Sequence, residues 1–137
     1  MKKTILILAV AVAITSSCKK GPGEGGTSTI TGKIHAKYYD KKIQTVQAEE
    51  YAPKEDVFII YGDEITYGNN QKTSYEGVYE FKYLRKGMYK VYAYSRDSAD
   101  AYINQVNQLA PNVAVVAEVE ITSNKQTVEV PDINIIK

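Results

Sequence analysis

Residue types that often carry structure or chemistry are nearly missing from this 137-residue chain, which has one cysteine, one histidine and no tryptophan. A single cysteine cannot close a disulfide within the chain, so the fold must be stabilised by its core. A single histidine, His35, excludes a zinc site built from several histidines. The charge is almost balanced, with 17 basic and 16 acidic residues, which excludes the strongly basic footprint of a nucleic-acid-binding protein.

Long apolar runs are missing as well. The N-terminal run from Ile5 to Ile14 is far shorter than the roughly 20 residues that a membrane-spanning helix needs. It follows Lys2 and Lys3 and precedes three small residues, which is the three-part layout of a secretory signal. We therefore predict that residues 1–17 are an export signal rather than a transmembrane anchor.

The only cysteine, Cys18, directly follows this signal. Small residues before a cysteine at such a position resemble the lipobox of bacterial lipoproteins, although Thr15 stands where that motif usually has leucine. The resemblance implies cleavage before Cys18 and attachment of a lipid to its sulfur. Each buried CH₂ group of an acyl chain contributes about 0.8 kcal/mol, so two or more chains anchor a protein stably. Because Lys19 follows the cysteine, rather than the aspartate that often retains lipoproteins at the inner membrane, we expect the outer membrane of a Gram-negative envelope.

A glycine-rich segment follows the cysteine. Its sequence is KKGPGEGG over residues 19–26, and chains of this composition are flexible. We therefore predict a lipidated cysteine with a flexible tether over residues 18–26 and a single domain over residues 27–137.

The domain shows the two-residue periodicity of β-strands. Apolar residues alternate with polar ones over residues 30–38, 78–82, 88–94 and 113–121, and the run 57–61, VFIIY, is apolar throughout. That run predicts a strand buried on both faces, and Leu84–Gly87 predicts a short hairpin connection. Two polar connections, 40–56 and 96–112, separate the strands, and the first has room for a short extra strand. Residues 65–73 predict a short edge strand with a turn at 68–70. The chain also contains twelve tyrosines, a residue type that favours β-strands. The pattern predicts an all-β fold, an antiparallel β-sandwich of about seven strands.

One stretch carries a more specific pattern. Residues 77–93 contain glycine at 77 and 87, aromatic residues at 79, 81 and 89, Leu84 and Val91. This spacing resembles the run G-x-Y-x-F-x-x-L-x-x-G-x-Y-x-V of transthyretin-like (prealbumin-like), carboxypeptidase regulatory-like domains. The resemblance covers roughly residues 30–136 and implies a sandwich whose motif residues fill the core. It also implies an accessory role, such as stability, spacing or docking, rather than catalysis.

Groups suited to catalysis are few. His35 falls on the solvent side of its strand by alternation, and no G-x-S-x-G sequence accompanies it. The acidic pairs Glu49-Glu50 and Asp63-Glu64 fall in polar connections, where solvated carboxylates are the simpler interpretation. Residues 97–100, DSAD, lack the glycine and distal glutamate of a calcium-binding EF-hand loop. We therefore predict no catalytic residue, no metal and no cofactor.

Tyr92 and Tyr94 form the candidate ligand face. Alternation places Tyr89, Val91 and Ala93 in the core, so Tyr92 and Tyr94 point outward. We expect a non-enzymatic envelope lipoprotein that acts as a binding or assembly module, with a protein or a glycan as partner. The alternatives are a carbohydrate-binding accessory protein of a surface glycan-uptake system and an enzyme with a carboxylate site on a loop.

Overall fold

Nine β-strands and no helix are present in the computed structural model, which describes residues 20–39, 45–96 and 112–137. The strands, in chain order, are β1 (Glu24–Tyr39), β2 (Val46–Tyr51), β3 (Asp56–Tyr61), β4 (Asn69–Lys72), β5 (Val78–Leu84), β6 (Gly87–Arg96), β7 (Asn112–Ile121), β8 (Thr127–Glu129) and β9 (Ile133–Ile136). Within these ranges there is no apolar helix of membrane-spanning length.

The strands form two sheets, which confirms the predicted β-sandwich. In one sheet the long strand β1 pairs antiparallel with β2 and β5, and parallel with the short strands β8 and β9. The other sheet is antiparallel, in the order β4–β3–β6–β7. The predicted count of about seven strands is low, because the polar segment 46–51 forms β2 and the C-terminal residues form two short strands.

The core lies between the inner faces of the two sheets. Alternation along β1 and β6 is confirmed, since Ile30, Ile34 and Val91 are buried and every second residue faces outward. The buried apolar side chains are Ile30, Ile34, Ala36, Ala52, Val57, Ile59, Tyr79, Phe81, Leu84, Tyr89, Val91, Ala93, Val119, Ile121, Val130, Ile133 and Ile135. The aromatic residues, Leu84 and Val91 of the pattern at 77–93 all belong to this core, and Gly77 and Gly87 have positive φ.

Two local predictions about β3 and β4 are wrong. Only Val57 and Ile59 of the VFIIY run lie in the core, while Phe58 and Ile60 are half-buried on the outer face of the sheet. Asn69 and Asn70 belong to β4 rather than to a turn, because they pair with Ile59 and Phe58. The turn falls earlier, between Tyr61 and Gly68.

The connection Leu84–Gly87 is not a hairpin. β5 pairs with β1 and β6 pairs with β3 and β7, so the connection carries the chain from one sheet to the other. The backbone groups of Arg85 are satisfied by the N-terminal segment and by the Tyr89 side chain. The Arg85 N–H donates to the carbonyl of Gly23 at 2.9 Å, and the Arg85 carbonyl accepts from the hydroxyl of Tyr89 at 2.6 Å.

The predicted tether is also wrong from Gly21 onward. Residues 24–26 begin β1, and the Arg85 side chain donates to the carbonyls of Gly21 and Glu24. The N–H of Gly23 donates to the Tyr89 hydroxyl at 2.9 Å. We call these contacts among residues 21–24, Arg85 and Tyr89 the N-terminal clamp. Composition suggested flexibility because the segment has few side chains to bury, but hydrogen bonds to its backbone hold it against the domain.

Pro22 completes the clamp by packing over Gly87. A Cβ atom at Gly87 would lie 2.3 Å from the Pro22 ring, and the Gly87 φ of 141° is one that other residues rarely adopt. Gly87 is therefore needed both for the turn into β6 and for the close approach of the N-terminal segment.

Two core tyrosines differ in how their hydroxyls are satisfied. The Tyr89 hydroxyl binds Gly23 and Arg85, as in the tyrosine corner of other sandwiches, where the hydroxyl bonds to backbone a few residues upstream. Tyr79 lies over Gly32, its partner on β1, and a Cβ at Gly32 would lie 2.4 Å from the Tyr79 hydroxyl oxygen. That buried oxygen has no hydrogen-bond partner among the described residues. Its burial raises the pKa of Tyr79.

Replacing each tyrosine by phenylalanine should therefore have opposite effects on stability. Tyr79→Phe removes an unpartnered buried hydroxyl and should raise the free energy of unfolding by about 1 kcal/mol. Tyr89→Phe leaves the Gly23 N–H without its acceptor and should lower the free energy of unfolding by about 1–3 kcal/mol. Urea unfolding of the two variants, followed by circular dichroism, measures both changes. Equal destabilisation by the two substitutions would show that the Tyr79 hydroxyl has a partner.

Candidate ligand-binding face

The outer face of the β4–β3–β6–β7 sheet carries aromatic side chains outside the core. Phe58 on β3 and Tyr92 on β6 are direct partners in the antiparallel register. Their chain neighbours Val57, Ile59 and Val91 point into the core, so Phe58 and Tyr92 must point outward. Tyr94 follows on the same face of β6, and Tyr67 joins from the connection between β3 and β4.

These four rings are linked by ring contacts, and we call them the ring cluster. Phe58 is at the centre. It stacks on Tyr92, with ring centroids 5.0 Å apart and planes inclined by 16°, and it meets Tyr67 and Tyr94 edge to face at 5.0 and 5.6 Å. Such arrangements are the favourable ones for aromatic pairs and add about 0.5–1.5 kcal/mol beyond area burial.

The rings of the cluster differ in exposure, so that a buried ring supports others that form the surface. Tyr92 is only 8% exposed, because Phe58 and Tyr94 cover it, whereas Tyr94 is 47% and Tyr67 51% exposed. The outward direction predicted for Tyr92 and Tyr94 is confirmed. The two rings do not form one flat surface, since their planes are inclined by 84°. Any ligand must meet Tyr94 and Tyr67 first.

A hairpin at Leu84–Gly87 would have placed Glu80 and Lys82 beside Tyr92 on this face, but both residues lie on β5 in the other sheet. The actual neighbours follow from the strand order β4–β3–β6–β7. Asn70 pairs with Phe58, and Val116 pairs with Tyr92.

Polar groups border the rings on one side. Lys72 on β4 forms an ion pair with Asp56 on β3, with 2.9 Å between the Lys72 Nζ and the Asp56 carboxylate. Asn70 is exposed on the same strand as Lys72. The face therefore combines half-exposed apolar ring surface with hydrogen-bond donors and acceptors at its margin.

Among the cluster tyrosines, Tyr92 has a perturbed hydroxyl group. Burial raises the pKa of Tyr92, and the adjacent Tyr94 hydroxyl, which is hydrogen-bonded to that of Tyr92, raises it further. Tyr61, near the clamp, has its pKa raised to about 12 by burial and by the Glu24 carboxylate.

The other groups that the sequence suggested are dispersed. His35 is on the outer face of the other sheet, as predicted; its side chain is 22% exposed, and its Nε2 lies 3.7 Å from the Glu49 carboxylate. Glu49 and Glu50 belong to β2 rather than to a loop, so their side chains point to opposite faces. Glu50 accepts a hydrogen bond from the Tyr38 hydroxyl.

The remaining sequence candidates do not form a centre within the described part of the chain. Asp63 and Glu64 lie in the connection between β3 and β4. No group of three or more histidine, cysteine, aspartate or glutamate residues suited to a metal occurs in residues 20–39, 45–96 and 112–137. Cys18 and residues 97–100 lie outside these ranges.

Sequence reasoning missed Phe58 and Tyr67. Phe58 was assigned to the core because the VFIIY run is continuously apolar, and that run gave no signal for its outward direction. Tyr67 lies in a turn region, and only the pairing of β3 with β4 brings it to Phe58. The sequence did contain one signal for the outward direction of Phe58. The polar sequence NNQK forms β4, the exposed edge strand beside β3, and it leaves the outer face of β3 partly open.

Comparison with known proteins gives little further constraint. No protein-family model and no curated protein matches the sequence. Among solved structures, the chain is similar to a crystal structure of a Pseudomonas aeruginosa protein that has been proposed to bind carbohydrate. The identity is 10%, the TM-score is 0.46, and the match covers 80% of this chain and 90% of the other. A likeness this distant does not transfer a ligand to this chain.

The division of the cluster into support and surface predicts unequal effects of substitution. Tyr92→Ser removes a buried ring that stacks on Phe58 and should lower the free energy of unfolding by about 2–3 kcal/mol. Tyr94→Ser removes a half-exposed ring and should cost about 1 kcal/mol or less. Thermal melts of the two single variants measure the difference. Equal effects would show that Tyr92 is as accessible as Tyr94.

Proposed function

We propose that this chain is a non-enzymatic lipoprotein of the cell envelope that binds a ligand through the ring cluster. The observation that carries the proposal is the packing of four aromatic rings outside the core, with Tyr67 and Tyr94 half-exposed. The core is complete without these rings, since the inner faces of both sheets are already filled. Aromatic groups with an apolar body and a polar tip are enriched at protein interfaces for this reason.

The placement of the acidic residues supports a binding role over catalysis. A hydrolase of the glycosidase type needs two carboxyl groups that face each other across the scissile bond. The side chains of Glu49 and Glu50 diverge, and Glu49 lies near His35 and Lys37 in a surface charge cluster. The alternative of an enzyme with a carboxylate site on a loop therefore receives no support from the described residues.

Anchoring through Cys18 follows from the sequence. The signal layout over residues 1–17 and the small residues before the cysteine support lipidation of Cys18, which places the domain on a membrane surface. We assign it to the outer membrane of a Gram-negative envelope, since Lys19 follows the cysteine.

Lipidation is tested by expressing the full chain with a clickable palmitate analogue. The wild-type protein should carry the label and sediment with membranes, and Cys18→Ala should lose both properties because it is the only cysteine. A conservative Thr15→Leu change, which restores the usual lipobox residue, is the matched control and should keep the label. Labelling that persists in Cys18→Ala would contradict the anchor.

A glycan is the second candidate for the ligand, besides an envelope protein. The favouring observation is the position of the half-exposed rings beside Asn70 and the Asp56–Lys72 pair. Sugars present apolar C–H surface to a ring and hydroxyl groups to polar side chains, and this margin offers an amide, a carboxylate and an ammonium group. The ligand class would then fit an accessory protein of glycan uptake.

The ligand face is tested with an unlipidated form that begins at Lys19, screened against glycan arrays and envelope extracts. Tyr94→Ser and Tyr67→Ser should each weaken binding about tenfold, which corresponds to about 1.4 kcal/mol. Tyr75→Ser and Tyr83→Ser are matched controls, because both tyrosines are exposed away from the ring cluster. Unchanged affinity in both cluster variants, with normal far-UV spectra, would place the site elsewhere.

A further inference from the structure

The N-terminal clamp limits how far the domain can stand from a lipid on Cys18. The first clamped residue is Gly21, whose carbonyl accepts a hydrogen bond from the Arg85 Nε at 2.8 Å. Only Lys19 and Lys20 separate it from Cys18. Three Cα-to-Cα steps span at most about 11 Å even when fully extended, so the clamp leaves almost no tether.

The strand registers show which end of the sandwich this short link holds. Glu24 at the start of β1 pairs with Leu84 at the end of β5, and Gly87 at the start of β6 pairs with Ile121 at the end of β7. The connection 62–68 and the turn 122–126 therefore lie at this same end. We call it the anchor end. Strands β1 and β6 finish at the opposite end, where Tyr39 pairs with Val46 and Arg96 with Asn112.

Several large apolar side chains are exposed at the anchor end, and Ile65 and Tyr83 are the most exposed of them. Ile65, in the connection 62–68, is 97% exposed, and Tyr83, just before the connection between the sheets, is 70% exposed. Tyr83 holds this outward position with a φ of 60°, which is uncommon for a residue other than glycine. Among the described residues, Ile65 is therefore almost fully open to solvent and Tyr83 largely so.

The charges at this end are mixed. Lys20, Lys86 and Lys125 are exposed, and so are Asp63 and Glu64, which precede Ile65. Electrostatic attraction to anionic lipid therefore does not dominate the interaction of this end with a membrane. The short link holds the end beside the bilayer. Its exposed apolar side chains can then transfer their surface from water into the headgroup region, which is favourable.

We propose that the anchor end is a membrane-contact surface, in which Ile65 and Tyr83 enter the headgroup region of the bilayer that holds the Cys18 lipid. This inference rests on the proposed lipidation. It fixes the orientation of the domain, with the strands running away from the membrane and the ring cluster on the side of the sandwich. Tyr39 and Arg96 lie at the end remote from the membrane.

The orientation is tested with the lipidated full chain in phosphatidylcholine vesicles. Because the Cys18 sulfur carries the lipid, an added cysteine is the only free thiol and takes an environment-sensitive fluorophore. Ile65→Cys places the probe at the anchor end, and Ala48→Cys places it on exposed β2 near the opposite end. Brominated lipids should quench the probe at 65 at least twofold more than the probe at 48.

A second variant tests the role of the short link. Twelve glycine and serine residues inserted between Lys19 and Lys20 would lengthen it by roughly 20 Å, and quenching at 65 should fall towards the value at 48. Vesicle flotation separates the two proposals. If the protein floats but both positions are quenched equally, the proposed orientation is wrong and lipidation stands. The same holds if the insertion leaves quenching at position 65 unchanged. Protein that fails to float would overturn lipidation and the orientation with it.

Discussion

The hydroxyl of Tyr89 is the point on which the arrangement of this domain depends. It accepts the Gly23 N–H and donates to the Arg85 carbonyl, so it ties the N-terminal segment to the crossing between the two sheets. The same crossing places Leu84 and Tyr89 on the inner faces of opposite sheets. One buried side chain thus satisfies backbone groups that neither sheet can pair, at the end of the sandwich where four chain segments meet.

A second consequence of that crossing is the position of β6 in the interior of its sheet. With β3 on one side and β7 on the other, β6 presents Tyr89, Val91 and Ala93 to the core and Tyr92 and Tyr94 to the outside. On the β3 side, the outer pair packs on Phe58. The ring cluster is therefore a product of strand order, and a hairpin between β5 and β6 would have placed Tyr92 beside charged residues instead.

Local periodicity predicted the fold class well, because burial alternates along β1 and β6 in the way that a two-residue period requires. It predicted the direction of Tyr92 and Tyr94 for the same reason. It could not predict contacts that depend on long-range pairing. Three predictions failed for this reason: a hairpin at Leu84–Gly87, a tether over residues 21–26 and a core position for Phe58. In each case the structure depends on a segment that is distant in sequence. The likeness to transthyretin-like domains fits the burial of the residues at 77–93, and membership of that family stays a prediction.

The pairing of β1 with β8 and β9 has a consequence for how the protein is made. The first strand needs the last residues of the chain, since Ile34 pairs with Ile133 and Ala36 with Ile135. Such non-local pairing slows folding, because a long loop must close before any contact compensates for its entropy. During synthesis the first strand emerges long before β8 and β9, so its sheet cannot close until those two strands have been made. If the proposed export proceeds from the N-terminus, the sandwich can assemble only after β8 and β9 have crossed the membrane.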